Sequence, residues 1–244
     1  MSDQYTFDAT IELLKTYLQR SSVIYQTVMR WKSRQVPSLL VRKGRTRIVI
    51  EAFPRSSNSF AVRLFRQANP GYAIDEISHH SHIVSNVKRA ARWGIPALII
   101  LRDPVDAISS NMIVRGTTSD AMLKVLALKY LDFYGWVEAN PESIVIAEFS
   151  DITQGRFKRV SERLNSRFET SFATDFDEDV LLAEVRRGIE AASPNRKDAS
   201  RIPIPNAERE ARYADLRPRI REHPAMTEPI RLHDRLRVSV AAES

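Results

Sequence analysis

The chain has 244 residues, of which 43% are hydrophobic and 27% charged, proportions that are ordinary for a globular protein. It contains no cysteine, which excludes disulfides, thiolate catalysis and cysteine-ligated metals. The formal net charge of +7 favours anionic partners such as nucleotides, nucleic acid or sulfated and phosphorylated molecules, although an Arg-rich surface alone gives the same value. No apolar run is long enough to span a membrane, and the polar N-terminus lacks a secretory signal pattern, so we expect a cytoplasmic protein.

Hydrophobic periodicity predicts that strands alternate with helices along most of the chain. In chain order we predict a helix over 8–32, a strand over 47–53, a helix over 58–68, a strand over 73–78, a helix over 83–93, a strand over 95–101, helices over 104–114 and from 119 onward, a strand over 144–147, and helices around 157–164, 182–189, 206–220 and 227–237. The first helix is amphipathic, and we expect its apolar stripe to face the core: Ile11, Leu14, Leu18, Tyr25 and Val28.

This alternation predicts an α/β fold with a mainly parallel central sheet flanked by helices. We expect one domain over 1–244, with its core at 47–165, a helical N-terminal extension at 1–40 and a basic C-terminal segment at 194–244. Between Glu12 and Glu51 the chain has nine basic residues and no acidic one. That stretch could steer an anionic ligand toward the sheet, or it could pair with acids elsewhere in the fold.

A short polar turn joins the first predicted strand to its helix, and its sequence is Pro54-Arg55-Ser56-Ser57-Asn58-Ser59. Unpaired backbone N–H groups and the positive end of the helix dipole favour an anion at such a turn. The turn lacks the glycines and the Lys-Ser/Thr pair of a Walker A loop. With Phe60 after it, the turn instead resembles the 5′-phosphosulfate loop of sulfotransferases that use 3′-phosphoadenosine 5′-phosphosulfate (PAPS).

Two further segments resemble motifs of the same family. Arg102-Asp103-Pro104-Val105-Asp106, followed by Ser110, is similar to the segment that binds the 3′-phosphate of the nucleotide, and Arg102 and Ser110 hold its ligand positions. A histidine cluster, Ser78-His79-His80-Ser81-His82, stands where the family carries its general base. If the strand persists through this cluster, His80 and His82 share a face. His80 is the first choice for the base and His82 the second.

Weaker resemblances concern the base of the nucleotide and the C-terminal segment. Phe149 stands where the family places an aromatic residue that contacts adenine, and Phe60 could stack on the other side of the ring. Arg196 and Lys197 could clamp the 3′-phosphate, as a basic C-terminal loop does in the family. The main departure from the family pattern is Ser57, which replaces a glycine and is costly if that position needs a positive φ.

The resemblance implies a PAPS-dependent sulfotransferase with a P-loop-like architecture that needs no metal. His80, or else His82, would accept the proton of the acceptor, and Arg55 would stabilise charge on the leaving 5′-phosphate. The loop residues Ser56, Ser57, Asn58, Ser59 and Phe60 would bind the donor together with Arg55. The acceptor is not readable from the sequence, although we expect its pocket to be formed by the N-terminal helix, residues 111–120 and the tail.

Three alternatives remain open at this stage. An atypical P-loop kinase would need Mg²⁺ held by a carboxylate such as Asp103 or Asp106. A basic protein that binds nucleic acid or anionic glycans without chemistry would need no catalytic histidine, although it lacks the basic strands interleaved with aromatic residues that are typical of single-strand binding. The histidine cluster could hold a metal, but no nearby carboxylate or cysteine pattern completes such a site. Lys88, Arg89 and Arg92 are interpreted as the solvated face of their helix.

Overall fold

The computed structural model describes residues 2–20, 22–191 and 207–242. Its centre is a sheet of four parallel strands in the order β2-β1-β3-β4, where β1 is Ile48–Ala52, β2 is Ile77–His79, β3 is Ala97–Leu101 and β4 is Val145–Glu148. The predicted α/β class with a parallel sheet flanked by helices is confirmed. The predicted boundaries of β1, β3 and β4 lie within two residues of the observed ones.

Eleven helices are described, and most surround this sheet. They are α1 (Ser2–Arg20), α2 (Ser22–Lys32), α3 (Asn58–Ala68), α4 (Val84–Arg92), α5 (Pro104–Arg115), α6 (Asp120–Ala139), α7 (Phe149–Thr153), α8 (Phe157–Phe168), α9 (Glu178–Ala191), α10 (Ala207–Glu222) and α11 (Thr227–Ala242). Among the described helices, none combines the length and the apolar character that crossing a bilayer requires.

Each face of the sheet is covered by its own apolar layer, because successive side chains of a strand point to opposite faces. Ile48 and Ile50 of β1 pack with side chains from α3, α8 and α9. Val49, between them, packs on the other face with side chains from α4, α5, α6, α10 and α11. The strands are therefore buried on both faces, as their unbroken apolar sequences predict.

The order of the strands places a crevice between β1 and β3. The loop after β1 leads to α3 on one face of the sheet, and the loop after β3 leads to α5 on the other face. Because the two loops diverge, a crevice opens between them at the carboxyl ends of the strands, which is where ligands bind in open parallel sheets.

The structure corrects the orientation of the predicted N-terminal helix. The described residues 2–20 and 22–32 are helical, which agrees with the helix predicted over 8–32. The predicted apolar stripe does not face the core, because Leu14, Leu18 and Val28 are exposed. The buried face of α1 instead carries Glu12, which forms ion pairs with α5 and α6. Those pairs fix the rotation of the helix.

The second strand is shorter and begins later than predicted. Residues Ile74–Glu76 form a 3-10 turn, and the strand follows only at Ile77. The Glu76 carboxylate accepts the backbone N–H of Ala73 at 2.8 Å, a local bond that competes with pairing in the sheet. The strand ends at His79, so most of the histidine cluster lies in a loop.

Candidate functional site

The two segments that resemble nucleotide-binding motifs meet in the crevice between β1 and β3. The Arg55 Nε donates to the Ser110 Oγ at 3.1 Å, and an Arg102 guanidinium nitrogen donates to the carbonyl oxygen of Arg55. Ser110 is only 2% exposed and lies on the first turns of α5. The guanidinium groups of Arg55 and Arg102, which are 47 residues apart in the chain, therefore lie close to each other and to the hydroxyl of Ser110.

The start of α5 explains why an Asp-Pro pair follows Arg102. The Asp103 carboxylate accepts the backbone N–H groups of Val105 and Asp106, which makes Asp103 the N-cap, and Pro104 occupies the first turn as predicted. This cap fixes where the helix begins, so that Arg102 stays at the end of β3. Asp106 forms an ion pair with Arg217 of α10 at 2.6 Å.

The loop before α3 has the geometry of an anion-binding turn. Arg55 has a φ of 72° and Ser57 a φ of 63°, both in the left-handed region. The side chain of the N-cap residue Ser57 does not cap α3, and its carbonyl accepts the N–H of Phe60, so the N–H groups that remain for an anion are those of the first two helical residues. The left-handed region costs a non-glycine residue roughly 1–2 kcal/mol. Ser57 therefore occupies a backbone conformation that a glycine would adopt without strain.

Three other residues of this loop have buried side chains. Ser56 is fully buried beside Tyr134. With its amide oriented so that both its atoms find partners, Asn58 donates to the Ile50 carbonyl at 2.9 Å and its oxygen accepts the His80 N–H at 3.3 Å, which ties the two loops together. Phe60 is 5% exposed and packs in the core with α8 and α9. The expectation that Phe60 stacks on the nucleotide base is corrected, because its ring has almost no accessible surface.

The histidine cluster does not follow the alternation expected of a strand. His80 has a φ of 61° and His82 a φ of 53°, so both lie in the left-handed region and the backbone there is a loop. Contrary to the prediction, the two side chains therefore do not share the face of a strand. The His80 Nε2 contacts the Ser59 Oγ at 2.7 Å, and its Nδ1 contacts the Nδ1 of His79. Both ring nitrogens of His80 are thus engaged.

His82 has one ring nitrogen engaged and one available. Its Nδ1 lies 2.9 Å from the carbonyl oxygen of Ala52, which can only accept, so Nδ1 carries the proton and Nε2 is the basic nitrogen. Burial, and the positive charges nearby, lower the pKa of His82 to about 4. Burial likewise lowers the pKa of His79 to about 3 and that of His80 below its usual value. All three imidazoles are therefore neutral at pH 7.

Glu51 is a residue of the site that sequence reasoning missed. It is fully buried in β1, and its carboxylate accepts the N–H groups of Ser81 and His82 at 2.9 and 3.1 Å and the Ser81 hydroxyl. Burial raises its pKa to about 7, although these hydrogen bonds act in the opposite direction. A charged residue inside a strand predicted to be buried on both faces was the signal that could have identified it.

Other predicted residues are placed as follows. Phe149 opens α7, and the Arg102 guanidinium stacks on its ring with the carbon 4.4 Å from the ring centre, which brings Phe149 to the crevice. Arg196 and Lys197 lie outside the described residues. In the parts of the chain that the structure describes, no three histidine, aspartate or glutamate side chains are arranged to hold a metal ion.

A cavity of about 280 Å³ opens beside His82. It is lined by Thr16 of α1, by His82 and the start of α4, and by Lys129, Asp132 and Phe133 of α6. Of the three segments expected to form an acceptor pocket, the N-terminal helix lines this cavity through Thr16, whereas residues 111–120 and the described part of the tail do not line it. A small molecule in it would lie against His82.

Comparisons of the chain with protein-family models, with curated proteins and with solved structures found no match. The function must therefore be argued from the geometry of the site.

Proposed function

We propose that this protein is a sulfotransferase that moves a sulfuryl group from PAPS to a hydroxyl, or an amine, of a small acceptor in the cytoplasm. The observation that carries the proposal is the convergence of Arg55, Arg102 and Ser110 in the crevice between β1 and β3, beside a loop of neutral histidines. A donor with phosphates at both ends suits two cationic groups and a helix N-terminus at one edge of a sheet.

The donor would be held by the loop before α3 and by the start of α5. The uncapped N-terminus of α3 and Arg55 would bind the 5′-phosphosulfate, while Arg102 and Ser110 would bind the 3′-phosphate. Phe149, which packs against Arg102, would contact the adenine. Holding both ends of the donor fixes its sulfur in line with the acceptor, so that proximity lowers the barrier.

The chemical step needs one proton acceptor, and the geometry favours His82 for that role over His80. As the acceptor oxygen forms a bond to sulfur, the bond from sulfur to the bridging oxygen breaks, and its electron pair leaves with the 5′-phosphate. The proton of the acceptor passes to the Nε2 of His82, whose Nδ1–H is held by Ala52. Arg55 would stabilise the charge that develops on the leaving oxygen.

A comparison of nucleotides tests the donor class directly. We expect 3′,5′-ADP to raise the melting temperature of the protein without added metal, whereas ATP and GTP with Mg²⁺ do not, because binding to the folded state alone stabilises it. Arg102→Ala should abolish the shift. Arg92→Ala, which removes an exposed charge from α4, should retain it.

Each alternative function predicts a different result in the same assay. Stabilisation by ATP and Mg²⁺ but not by 3′,5′-ADP would indicate a kinase. For a kinase, Asp103 or Asp106 would have to give up its present partners to bind Mg²⁺. Asp103 caps α5, and both carboxylates pair with arginines of α10. Binding of heparin or DNA that 3′,5′-ADP does not compete with would indicate a polyanion-binding protein.

A further inference from the structure

The cavity beside His82 has walls of two kinds. Ile83, Val84 and Phe133 supply the apolar part of the wall. Thr16 and Ser85 add hydroxyls from α1 and α4. At about 280 Å³ the cavity lies near the lower limit of small-molecule sites, which suits a ligand the size of a single substituted ring.

Positive charge predominates around this cavity. Lys88, at its mouth, is exposed and forms no ion pair with a described side chain. Lys129, in its wall, is 16% exposed and pairs with Glu12 at 2.9 Å, but Lys15 and Arg115 pair with the same carboxylate. The carboxylate of Glu12 therefore pairs with three cations. The acidic residue that lines the cavity itself is Asp132.

Lys88 is exposed, as its interpretation from the sequence expected, and it also lines the cavity. Its helix, α4, begins directly after the histidine loop, so Lys88 projects from the second turn of α4 toward the same space as His82. A ligand with its anion at Lys88 and Lys129 could place its other end against His82, which lines the same cavity.

We infer that this cavity is the acceptor site and that the acceptor is a small hydroxylated molecule with a carboxylate group. The carboxylate contacts Lys88 and Lys129, the body of the molecule lies against the apolar wall that includes Val84, and the hydroxyl faces His82. This inference rests on the proposed sulfotransferase function for the role of the ligand, but the binding of a small carboxylate can be tested independently of it.

A matched set of phenols tests the inference: 4-hydroxybenzoate, its neutral analogue 4-hydroxybenzamide, and the cation tyramine. We expect calorimetry on the full chain, with and without 3′,5′-ADP, to show the tightest binding for 4-hydroxybenzoate. An accessible ion pair contributes up to about 1 kcal/mol, so Lys88→Gln should weaken this binding about fivefold and leave that of the benzamide unchanged. Arg92→Gln, on the same helix but outside the cavity, is the control and should change neither.

The outcomes separate this inference from the proposed function. Equal affinity for the acid and the amide, equal weakening of both by Lys88→Gln, or no binding of 4-hydroxybenzoate would overturn the inference, even if 3′,5′-ADP binds. Binding of 4-hydroxybenzoate that depends on Lys88, in a protein that does not bind 3′,5′-ADP, would retain the anion site and reject the sulfotransferase. Transfer of label from sulfur-labelled PAPS to 4-hydroxybenzoate in preference to the amide would support both.

Discussion

At the scale of single residues, the site is marked by backbone strain. Arg55, Ser57, His80 and His82 all have positive φ values, and they lie in two adjoining loops. Such conformations cost free energy and persist only where the surrounding structure fixes them. Here the surroundings are Asn58 and the buried Glu51, whose hydrogen bonds hold the histidine loop against β1 and α3. The strain orients His82, a role that sequence spacing could not reveal.

Replacing each histidine separately tests which one accepts the proton. His82→Ala should lower the rate of sulfuryl transfer by about 10²-fold or more, while 3′,5′-ADP still binds, because a general base is lost and the donor site is not. His80→Ala should cost far less, since both its ring nitrogens are engaged by neighbours. Rates of each variant and the thermal shift with 3′,5′-ADP check this. The reverse order of effects would return the role to His80.

Glu51 predicts a pH dependence of stability. Its folded-state pKa of about 7 exceeds the usual 4.5. Its contribution to the free energy of unfolding is therefore fully present below pH 4.5 and is lost as the pH rises through 7. The loss is on the order of 3 kcal/mol. Urea unfolding from pH 4.5 to 8 should therefore show that the stability of the wild type relative to Glu51→Gln declines with rising pH, because the histidines and other titrating groups contribute equally to both proteins. Glu162→Gln, which replaces an exposed carboxyl on α8, should show the same decline relative to Glu51→Gln. Parallel curves for wild type and Glu51→Gln would refute this.

At the scale of elements, one buried acid positions the first helix. Glu12 lies on the inner face of α1 and pairs with Lys129 of α6 and Arg115 of α5. Burial by itself would raise its pKa, but hydrogen bonds from Lys129 and Lys15 and the charge of Arg115 outweigh that effect and lower it to about 2. The apolar residues that predicted the opposite rotation, such as Leu14, are left exposed.

Neutralising this acid should weaken the docking of α1. Because the folded-state pKa of Glu12 is depressed, its stabilisation is present above pH 4.5 and is lost as the pH falls through about 2. We expect Glu12→Gln to lower the free energy of unfolding by about 2–3 kcal/mol at pH 7, and by little at pH 2. Asp8→Asn, on the exposed side of α1, should change it by under about 0.5 kcal/mol. A loss of equal size at both pH values would contradict the ion-pair explanation.

At the scale of the whole molecule, the C-terminal helices complete the core. Leu216 and Ile220 of α10 and Leu236 of α11 belong to the same apolar layer as β1 and β3. Arginines along α10 and α11 also pair with acids of α5, α6 and β4. Exposed pairs of this kind contribute little individually, so the apolar contacts hold this segment in place and the pairs set its register.

A matched pair of substitutions on α11 tests this conclusion. Leu236 is 2% exposed, whereas Val238, two residues later, is 72% exposed. We expect Leu236→Ala to lower the free energy of unfolding by about 2–4 kcal/mol in a single transition, and Val238→Ala by under about 0.5 kcal/mol. Thermal and urea unfolding measure both. A separate early transition for Leu236→Ala would indicate that the tail unfolds independently.

The local signals of the sequence predicted much of the fold. Apolar β-branched segments identified β1, β3 and β4, and Pro104 identified the start of α5, because these features depend on neighbours along the chain. The same signals failed for α1, where a buried Glu12 decides which face is inside. They also failed for β2. There, a local hydrogen bond of the Glu76 carboxylate stabilises a 3-10 turn in place of the first residues of the predicted strand.

The sequence by itself determined the alternation of strands and helices and the cationic and hydroxyl residues that follow the strands. Only the tertiary structure decided which of them meet: Arg55 with Ser110 and Arg102, Glu51 with the histidine loop, and Lys88 with the cavity of His82. The physical reason is that backbone propensity acts over a few residues. Pairing between charged or buried polar groups depends instead on how distant segments pack, which the order of strands in the sheet establishes.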